Sequence, residues 1–381
     1  MSPPGRPKGE FCSAQHQGAA VTLVRARPQH GMTLVELMVG MAIGLFLITV
    51  MSTMYLGSRN TFVAQESGGR LQENGRFAMD IIANDLRMSG FRGCMPVLPT
   101  GNRAAPLAIG AVDNTLNTPT ALLYNFSEPI WGARNTGAGW APALGAPVNG
   151  LGALAEGDIL LLRRPAGVAW ALVGEMANRN AVLTITPTAN FQRGDLLMVA
   201  DCAGASMLQA TNLGPGAAGS VQHVAGAGGV VPGVATGALG RTYSNDARIW
   251  RMQTRIYYLA NSQRRGGETA LWLSVSPAYD GEAQTSELVT GVERMAVTFG
   301  VDNDGLDGAG NLSANRYFDA SQVTDWTQVV SARVELVFAG AGNSPTTDVQ
   351  PYVFGGQTIT PADRKLRTVM STLVSLRNTV P

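Results

Sequence analysis

Histidine and cysteine are scarce in this chain of 381 residues, which contains three of each. Two histidines and one cysteine (His16, His30 and Cys12) lie within the first 31 residues, and the third histidine, His223, lies in a Gly/Ala-rich stretch. Catalytic triads need an imidazole with an orienting acid, and zinc sites usually take several His or Cys ligands. The sequence therefore predicts no catalytic residue, and His223 is interpreted as a bystander.

Lysine is also scarce, and neither sign of charge is in large excess. The formal net charge is +1; the first 31 residues contribute +3, so residues 32–381 carry −2. A chain without a basic surplus lacks the electrostatic footprint of a nucleic-acid-binding protein, so no nucleic-acid partner is expected. The sequence has no G-x-x-x-x-G-K-[ST] phosphate-binding loop, and no cofactor is predicted.

One long hydrophobic run, GMTLVELMVGMAIGLFLITVMSTMYL, covers Gly31–Leu56. No charged residue occurs from Leu37 to Ser58. A helix of that length rises about 33 Å, enough to cross a bilayer core of roughly 30 Å. A single acid, Glu36, stands at the start of the run. The run predicts a transmembrane helix.

The residues before this run do not fit a secretory signal peptide, which is cleaved after its apolar region. Here the small residue Gly31 follows the basic residues Arg25 and Arg27 and precedes the run. The arrangement resembles the prepilin signal of type IV pilins and type II secretion pseudopilins. This resemblance implies that a prepilin peptidase cleaves after Gly31 and methylates the amine of Met32. The alternative is a single-pass membrane anchor with an incidental acid.

Glu36 would be the fifth residue of the processed chain, and two interpretations of it stand side by side. A carboxylate at a membrane edge can simply reach towards water. In a filament, however, it can neutralise the amine of Met32 on a neighbouring subunit. Both charges would otherwise be buried unpaired, at a cost of several kcal/mol each. The second interpretation is preferred and assigns Glu36 to filament assembly.

The helix is expected to continue from Arg59 to about Met88. Apolar residues recur there on one stripe of a 3.6-residue period, at Leu71, Ala78, Ile82 and Leu86. The other face is charged and carries Arg70, Glu73, Arg76, Asp80 and Arg87. Three glycines, Gly68, Gly69 and Gly75, are expected to make the middle of the helix bendable.

The rest of the chain is predicted to form β-structure. Short apolar runs bounded by turn residues indicate strands at 158–162, 181–185 and 195–199. Regular alternation then predicts antiparallel strands with one buried face at 250–258, 271–275, 295–301 and 330–338. The segment 363–378 is expected to be the closing strand. The predicted fold class is α+β and pilin-like: a long N-terminal helix, transmembrane then amphipathic, packed on an antiparallel β-sheet head.

Five motifs narrow the resemblance to the PilW-type minor pilins. They are the helix end Arg87–Cys94, the pair Asp201-Cys202, the segment Leu288–Asp302, the pair Asp325-Trp326 before a strand, and the tail Asp363–Asn378. The expected organisation is a leader (1–31), a transmembrane half-helix (32–58), an amphipathic half-helix (59–90) and a periplasmic head (91–381). Within the head, 96–245 is an individual Gly/Ala-rich region, and 246–381 is a PilW-like sheet.

This resemblance implies a minor pilin that helps to initiate type IV pilus assembly in a tip or priming complex and supports adhesion or twitching motility. Its implied partners are the prepilin peptidase, other minor pilins, the major pilin and a tip adhesin. Its implied location is the inner membrane with a periplasmic head, and later the pilus at the cell surface. Two alternatives remain open: a type II secretion pseudopilin, and an adhesin or sugar-binding head displayed on a pilin stem.

An acidic cluster, Asp302, Asp304 and Asp307, is a weak candidate for a calcium loop. Its spacing departs from the EF-hand pattern, and Asp, Asn and Gly are preferred in ordinary hairpin turns. A hairpin loop is the preferred interpretation, and no metal site is predicted with it.

Two cysteines, Cys94 and Cys202, remain after the leader. Both fall on the side of the membrane opposite the basic leader, in an oxidising periplasm where disulfides persist. An even pair, one at the helix exit and one after a strand, favours a disulfide between stem and head. The alternative is two separate buried thiols.

Overall fold

The computed structural model describes residues 31–95, 112–186, 190–213, 219–304, 313–340, 346 and 348–379. The chain divides into two compact units, Met1–Ser58 and Arg59–Pro381. The predicted α+β fold class is confirmed, since one long helix is followed by antiparallel and mixed β-sheets.

Helix α1 covers Leu34–Met88, 55 residues without an interruption, and passes through the boundary between the two units. In the first unit its apolar side chains are exposed. In the second unit it buries a stripe that contains all four residues expected from the periodicity, while the charged face is exposed. The buried residues are Leu71, Gly75, Ala78, Met79, Ile82, Ala83, Asp85 and Leu86.

Gly75 has a steric role in this stripe. A Cβ atom at Gly75 would overlap the sulfur of Met370 and lie 3.3 Å from the ring of Phe338. The glycine therefore lets the helix approach the sheet closely. Helix α1 continues through Gly68, Gly69 and Gly75 without a break, and the expectation that these glycines make it bendable stays a prediction.

Eighteen strands follow in the described residues. They are β1 (Val112–Asn114), β2 (Ile130–Asn135), β3 (Trp140–Ala141), β4 (Ile159–Ala171), β5 (Leu183–Thr184), β6 (Leu196–Ala200), β7 (Ala205–Gln209), β8 (Asn212–Leu213), β9 (Ser220–Gln222), β10 (Arg248–Asn261), β11 (Thr269–Ser276), β12 (Thr285–Thr290), β13 (Val292–Val301), β14 (Arg316–Asp319), β15 (Val329–Ala339), β16 (Tyr352–Phe354), β17 (Gln357–Ile359) and β18 (Arg367–Ser375). Short 3₁₀ helices occur at Val148–Gly150, Ala320–Gln322 and Trp326–Gln328.

The largest sheet has nine strands and is organised around β10. One edge of β10 pairs with β4. The other edge is shared, since its beginning pairs with β6 and its remainder with β11. The Gly/Ala-rich region and the C-terminal region therefore contribute strands to one sheet. All described pairings in it are antiparallel except that of β1 with β7, which is parallel.

A second sheet has the order β14-β13-β15-β18 and is antiparallel throughout. Its strands match the predicted segments 295–301 and 330–338, and the predicted closing strand is β18. Apolar residues of α1, such as Ile82 and Leu86, share one buried core with residues of both sheets, such as Tyr257 and Phe338.

The prediction of one buried face is wrong for β10. Residues on both of its faces are buried, including Arg251, Gln253 and Tyr257 on the face that looks polar in the sequence. The hydroxyl of Tyr257 reaches α1, whereas Thr254 donates to the carbonyl of Leu123 at 2.7 Å. Since β10 is the central strand, layers of chain cover both sides of it.

The Gly/Ala-rich region forms a separate apolar core to which β10 contributes Ile249. Leu183, Val221, Leu239, Tyr243 and Ile249 pack together there, each less than 2% exposed. Residues after position 219 contribute to this core through Val221 of β9, and Val234 is also buried.

Candidate processing site and stem–head junction

Gly31 and Met32 lie just before α1, and both are exposed. A Cβ atom at Gly31 would meet no atom of the described residues within 4 Å. The described fold itself therefore imposes no steric need for glycine here. A requirement for a small residue at this position would come from another molecule, such as a peptidase.

Glu36 caps the start of α1 together with Thr33. The backbone N–H and the hydroxyl of Thr33 donate to Oε2 of Glu36, at 3.2 and 3.3 Å, and the N–H of Glu36 donates to the hydroxyl of Thr33 at 3.2 Å. This reciprocal arrangement is a capping box, which satisfies backbone donors that the first helical turn leaves open. The motif T-x-x-E before an apolar run is the sequence signature of this box; it was not among the features predicted above.

The apolar part of α1 is long and apolar enough to cross a membrane, by length and composition. Two of its hydroxyls, those of Thr49 and Thr53, bind carbonyls of the same helix: Thr49 donates to Leu45, and Thr53 donates to Val50, both at 2.8 Å. Both hydroxyl protons are thus satisfied without water, as a hydrocarbon environment requires.

Asp85 is the centre of a buried ionic cluster between α1 and the main sheet, and its side chain is 1% exposed. It accepts hydrogen bonds from Arg164 of β4, from Arg255 of β10 at 3.1 Å, and from the hydroxyl of Tyr257. Arg255 also pairs with Glu282 at 2.9 Å. The two acids balance the two guanidinium groups, which makes burial of the cluster tolerable.

Tyr257 takes part in this cluster as a neutral donor. Burial, reinforced by the charge of Asp85, raises the pKa of Tyr257 well above its usual value. The hydroxyl therefore stays protonated and donates a hydrogen bond to the carboxylate. Asp85 lies beside Leu86 on the buried stripe, so an acid on an apolar stripe was the signal that sequence reasoning overlooked.

The last turn of α1 is capped from the other end of the chain. The side-chain amide of Asn378 donates to the carbonyl oxygens of Arg87 and Ser89, at 2.9 and 3.0 Å. Ser89 is buried and donates through its hydroxyl to Pro129 at 2.5 Å. Gly90, at φ +71°, turns the chain away from the helix axis.

The exit of the helix packs on the main sheet through aromatic contacts. The ring of Phe91 meets that of Trp250 edge to face, with 5.4 Å between centroids. A Cβ atom at Gly93 would lie 2.9 Å from the same indole, so glycine is needed for this approach as well as for its φ of +71°.

A disulfide joins Cys94 to Cys202, and the two Cα atoms lie 4.7 Å apart. Cys202 lies in the turn between β6 and β7, where Oδ1 of Asp201 accepts hydrogen bonds from the N–H groups of Ala203 and Gly204, both at 2.8 Å. The Asp-Cys pair of the sequence thus has a local explanation, because the aspartate shapes the turn that presents the cysteine. Both cysteines are exposed.

The acidic segment after β13 lies between two paired strands. Val301 of β13 pairs with Arg316 of β14, so the segment is a hairpin connection. Asp302 is buried and Asp304 is exposed, whereas Asp307 lies outside the described residues. No group of three or more potential metal ligands occurs within the described ranges.

His223 is buried in the Gly/Ala-rich region. Its Nε2 lies 3.0 Å from the carbonyl oxygen of Ala181, and burial lowers its pKa. A neutral imidazole therefore donates a hydrogen bond from Nε2 to this carbonyl, and the bond holds the ring in place inside the folded region.

Two segments of the chain match known protein families. Residues 256–378 match the PilW family, described as type IV pilus-assembly protein W. Residues 26–52 match the prokaryotic N-terminal methylation motif. Neither the comparison with curated proteins nor that with solved structures gives a significant match. The two family matches point to a membrane-anchored structural pilin that interacts with a prepilin peptidase and with pilus components.

Proposed function

We propose that this chain, a PilW-family type IV minor pilin by its two matches, helps to initiate pilus assembly in a priming complex with other minor pilins and the major pilin. The observation that carries the proposal is the combination of a methylation motif, which runs from residue 26 into the apolar part of α1 as far as residue 52, with a PilW segment in the sheets, at residues 256–378. In this proposal the head lies in the periplasm until the subunit enters a filament.

Processing is the first step of this proposal. A prepilin peptidase cleaves between Gly31 and Met32 and methylates the new amine. The exposure of both residues, and the open space around Gly31 within the described residues, support access by an enzyme.

Glu36 then has two roles in succession. Its Oε2 holds the start of α1 through Thr33, while Oε1 accepts no hydrogen bond within the described part of the chain. We assign Oε1 to the amine of Met32 on a neighbouring subunit. Pairing the two charges removes the cost of burying them singly in an apolar filament core.

The head is proposed to act through its surface rather than through catalysis. The one histidine after the leader is held by a backbone carbonyl, and the buried charges described above are bound to one another. The PilW match favours the pilus over the type II secretion machine, since the methylation motif alone fits both.

The test replaces Gly31 in the full chain. Gly31→Leu is expected to keep the leader attached in most molecules, whereas Gly40→Leu, which also meets open space, is expected to be processed normally. N-terminal sequencing of membrane-extracted protein reads the outcome, and a wild-type chain that starts downstream of Leu56 would contradict the pilin assignment.

A strain lacking the chain is expected to lose surface pili and to retain type II secretion; the reverse result favours the pseudopilin.

A further inference from the structure

Strand β18 forms an edge of the four-stranded sheet, and across the described residues no other strand is hydrogen-bonded to its outer side. Strand β16 packs near the start of β18, where the guanidinium carbon of Arg367 lies 5.9 Å from the ring centre of Tyr352. Its inner side pairs regularly with β15, from Ser331↔Ser375 to Ala339↔Arg367, without a bulge. Long, regular open edges are hazardous because they pair with other strands, and proteins commonly protect them.

Two hydrogen bonds just beyond β18 show which of its backbone groups are open. Leu376 donates to the carbonyl of Val330 at 2.8 Å, and Gly340 donates to that of Leu366 at 2.9 Å. Both pairs continue the β15–β18 register, in which hydrogen-bonded and non-hydrogen-bonded pairs alternate. The even-numbered residues of β18 therefore bind β15. The outward-pointing N–H and C=O groups belong to Val369, Ser371, Leu373 and Ser375.

The side chains of β18 do nothing to protect this edge. No charged residue, proline or glycine occurs from Thr368 to Leu376, although lysine, proline and bulges are the usual protections. The segment is instead rich in β-branched residues, which favour strand pairing. Leu373 is 51% exposed. The edge is therefore suited to pairing.

Both ends of β18 carry positive charge. At its start, Lys365 and Arg367 pair with Glu293, and Arg367 also pairs with Asp363. Exposed Arg364 makes no ion pair with any described residue, so this end keeps one positive charge in excess. At its other end, Arg377 is exposed, and Arg87 of α1 lies nearby because Asn378 binds the carbonyl of Arg87. Arg87 and Arg377 make no ion pair with any residue that the structure describes. A partner strand with acidic residues at its ends would complement these charges.

A second copy of β18 is a poor partner for the same reason. Antiparallel pairing would place the basic start of one strand against the basic end of the other, and parallel pairing would align identical basic ends. Like charges placed opposite one another destabilise a strand pair. The charges thus favour a strand from a different chain.

We propose that the outer edge of β18 accepts a β-strand of another pilus subunit, uncharged along its length and acidic at its ends. The added strand extends the four-stranded sheet across the subunit boundary, with affinity supplied by main-chain hydrogen bonds. The proposal rests on the proposed function, which supplies the partner, and it adds the surface by which that partner is held.

A proline at an outward-pointing position tests this edge in the full chain expressed in cells. Ser371→Pro removes one outward N–H and places a ring in the path of the added strand. It leaves the ladder to β15 intact, since proline is tolerated on edges. Ser371→Thr keeps the N–H and is the matched control. The proline variant is expected to fall about tenfold or more in sheared pili, the equivalent of roughly 1.4 kcal/mol, while its membrane level and its disulfide match wild type.

Wild-type incorporation of a folded Ser371→Pro chain overturns the proposal. If that variant loses its membrane level or its disulfide, Arg377→Glu decides, because Arg377 is exposed and its replacement disturbs no described contact. Reduced incorporation of Arg377→Glu supports the acidic-ended partner, and unchanged incorporation overturns it.

A photoreactive amino acid in place of Ser371 identifies the occupant. An adduct to an uncharged strand of another pilin supports the proposal. An adduct only to a second copy, or none although the chain is present in pili, overturns it. Absence of the wild-type chain from sheared pili overturns the proposed function as well, which separates the two failures.

Discussion

The hydroxyl of Tyr257, in the central strand of the main sheet, donates a hydrogen bond to the buried carboxylate of Asp85 on the helix. The two residues are 172 positions apart in the chain. Together with Arg164 and Arg255 they form the polar centre of an otherwise apolar junction between α1 and the sheet.

The first prediction in this part of the molecule concerns Asp85. Asp85→Asn removes the carboxylate that two largely covered guanidinium groups share, and only Arg255 keeps another acid, Glu282. Breaking a buried ion pair by removal of one partner typically costs about 3–5 kcal/mol, and we expect a loss of that size in the free energy of unfolding. Chemical denaturation of the detergent-solubilised chain measures it.

Asp80→Asn is the matched control, since Asp80 lies on the exposed face of the same helix. Its expected effect is within about 0.5 kcal/mol. Equal stability of the two variants would show that the cluster is not a stabilising feature.

The second prediction concerns the disulfide between Cys94 and Cys202, which are 108 residues apart. Closing a loop of about 100 residues restricts the unfolded chain by up to about 4.7 kcal/mol in the chain-entropy model. Cys94→Ser and Cys202→Ser are expected to lower stability equally, and the double variant no further. Alkylation with and without reductant, read by mass spectrometry, checks that wild type carries the bond.

Reductant supplies the control for this prediction. It is expected to destabilise wild type to the level of the serine variants and to leave those variants unchanged. Labelling of both wild-type thiols without reductant, in freshly purified protein, would mean that the bond does not form.

Much of this fold follows from patterns that burial imposes directly. The stripe from Leu71 to Leu86 and the alternation in β15 are visible because apolar side chains repeat with the period of the element. The disulfide was predicted from the oxidising compartment and from the even number of cysteines after the leader, and neither depends on the three-dimensional structure. Asp85 and Arg251 were missed because charged residues are normally assigned to water, and their buried partners are distant in sequence. The capping box of Thr33 and Glu36 has a recognisable sequence motif but was not predicted.

The third prediction concerns pH and His223. Burial lowers the pKa of this imidazole relative to about 6.5 in an unfolded chain. Above that value neither state binds the proton, and stability is complete. As the pH falls below about 6.5, the unfolded chain takes up a proton that the folded chain does not. Stability therefore declines until the pH reaches the lowered pKa of the folded state.

His223→Gln keeps a donor for Ala181 and removes the titration. We expect this variant to lose less thermal stability than wild type between pH 7 and about 5. Burial raises the pKa of Glu128, Asp158 and Asp195, which gives the opposite trend with pH. The difference between variant and wild type is therefore the relevant readout, and identical pH profiles would contradict a buried neutral imidazole.

The last prediction separates the two roles of Glu36, which caps α1 through Oε2 and is proposed to bind a neighbour's amine through Oε1. Glu36→Gln keeps a side-chain oxygen that can accept from Thr33 but loses the charge. Thr33→Val removes the hydroxyl of the cap but keeps the charge.

If pairing with an amine matters most, Glu36→Gln is expected to insert and be cleaved, yet to be depleted in sheared pili about tenfold or more, as loss of roughly 1.4 kcal/mol implies. Thr33→Val is expected to enter pili more readily than Glu36→Gln, since it keeps the carboxylate charge that is proposed to pair with the amine. Quantification of each variant in sheared pili against the membrane fraction gives the comparison. Depletion of Thr33→Val as deep as that of Glu36→Gln would assign the effect to the cap, and normal incorporation of both would make the carboxylate incidental.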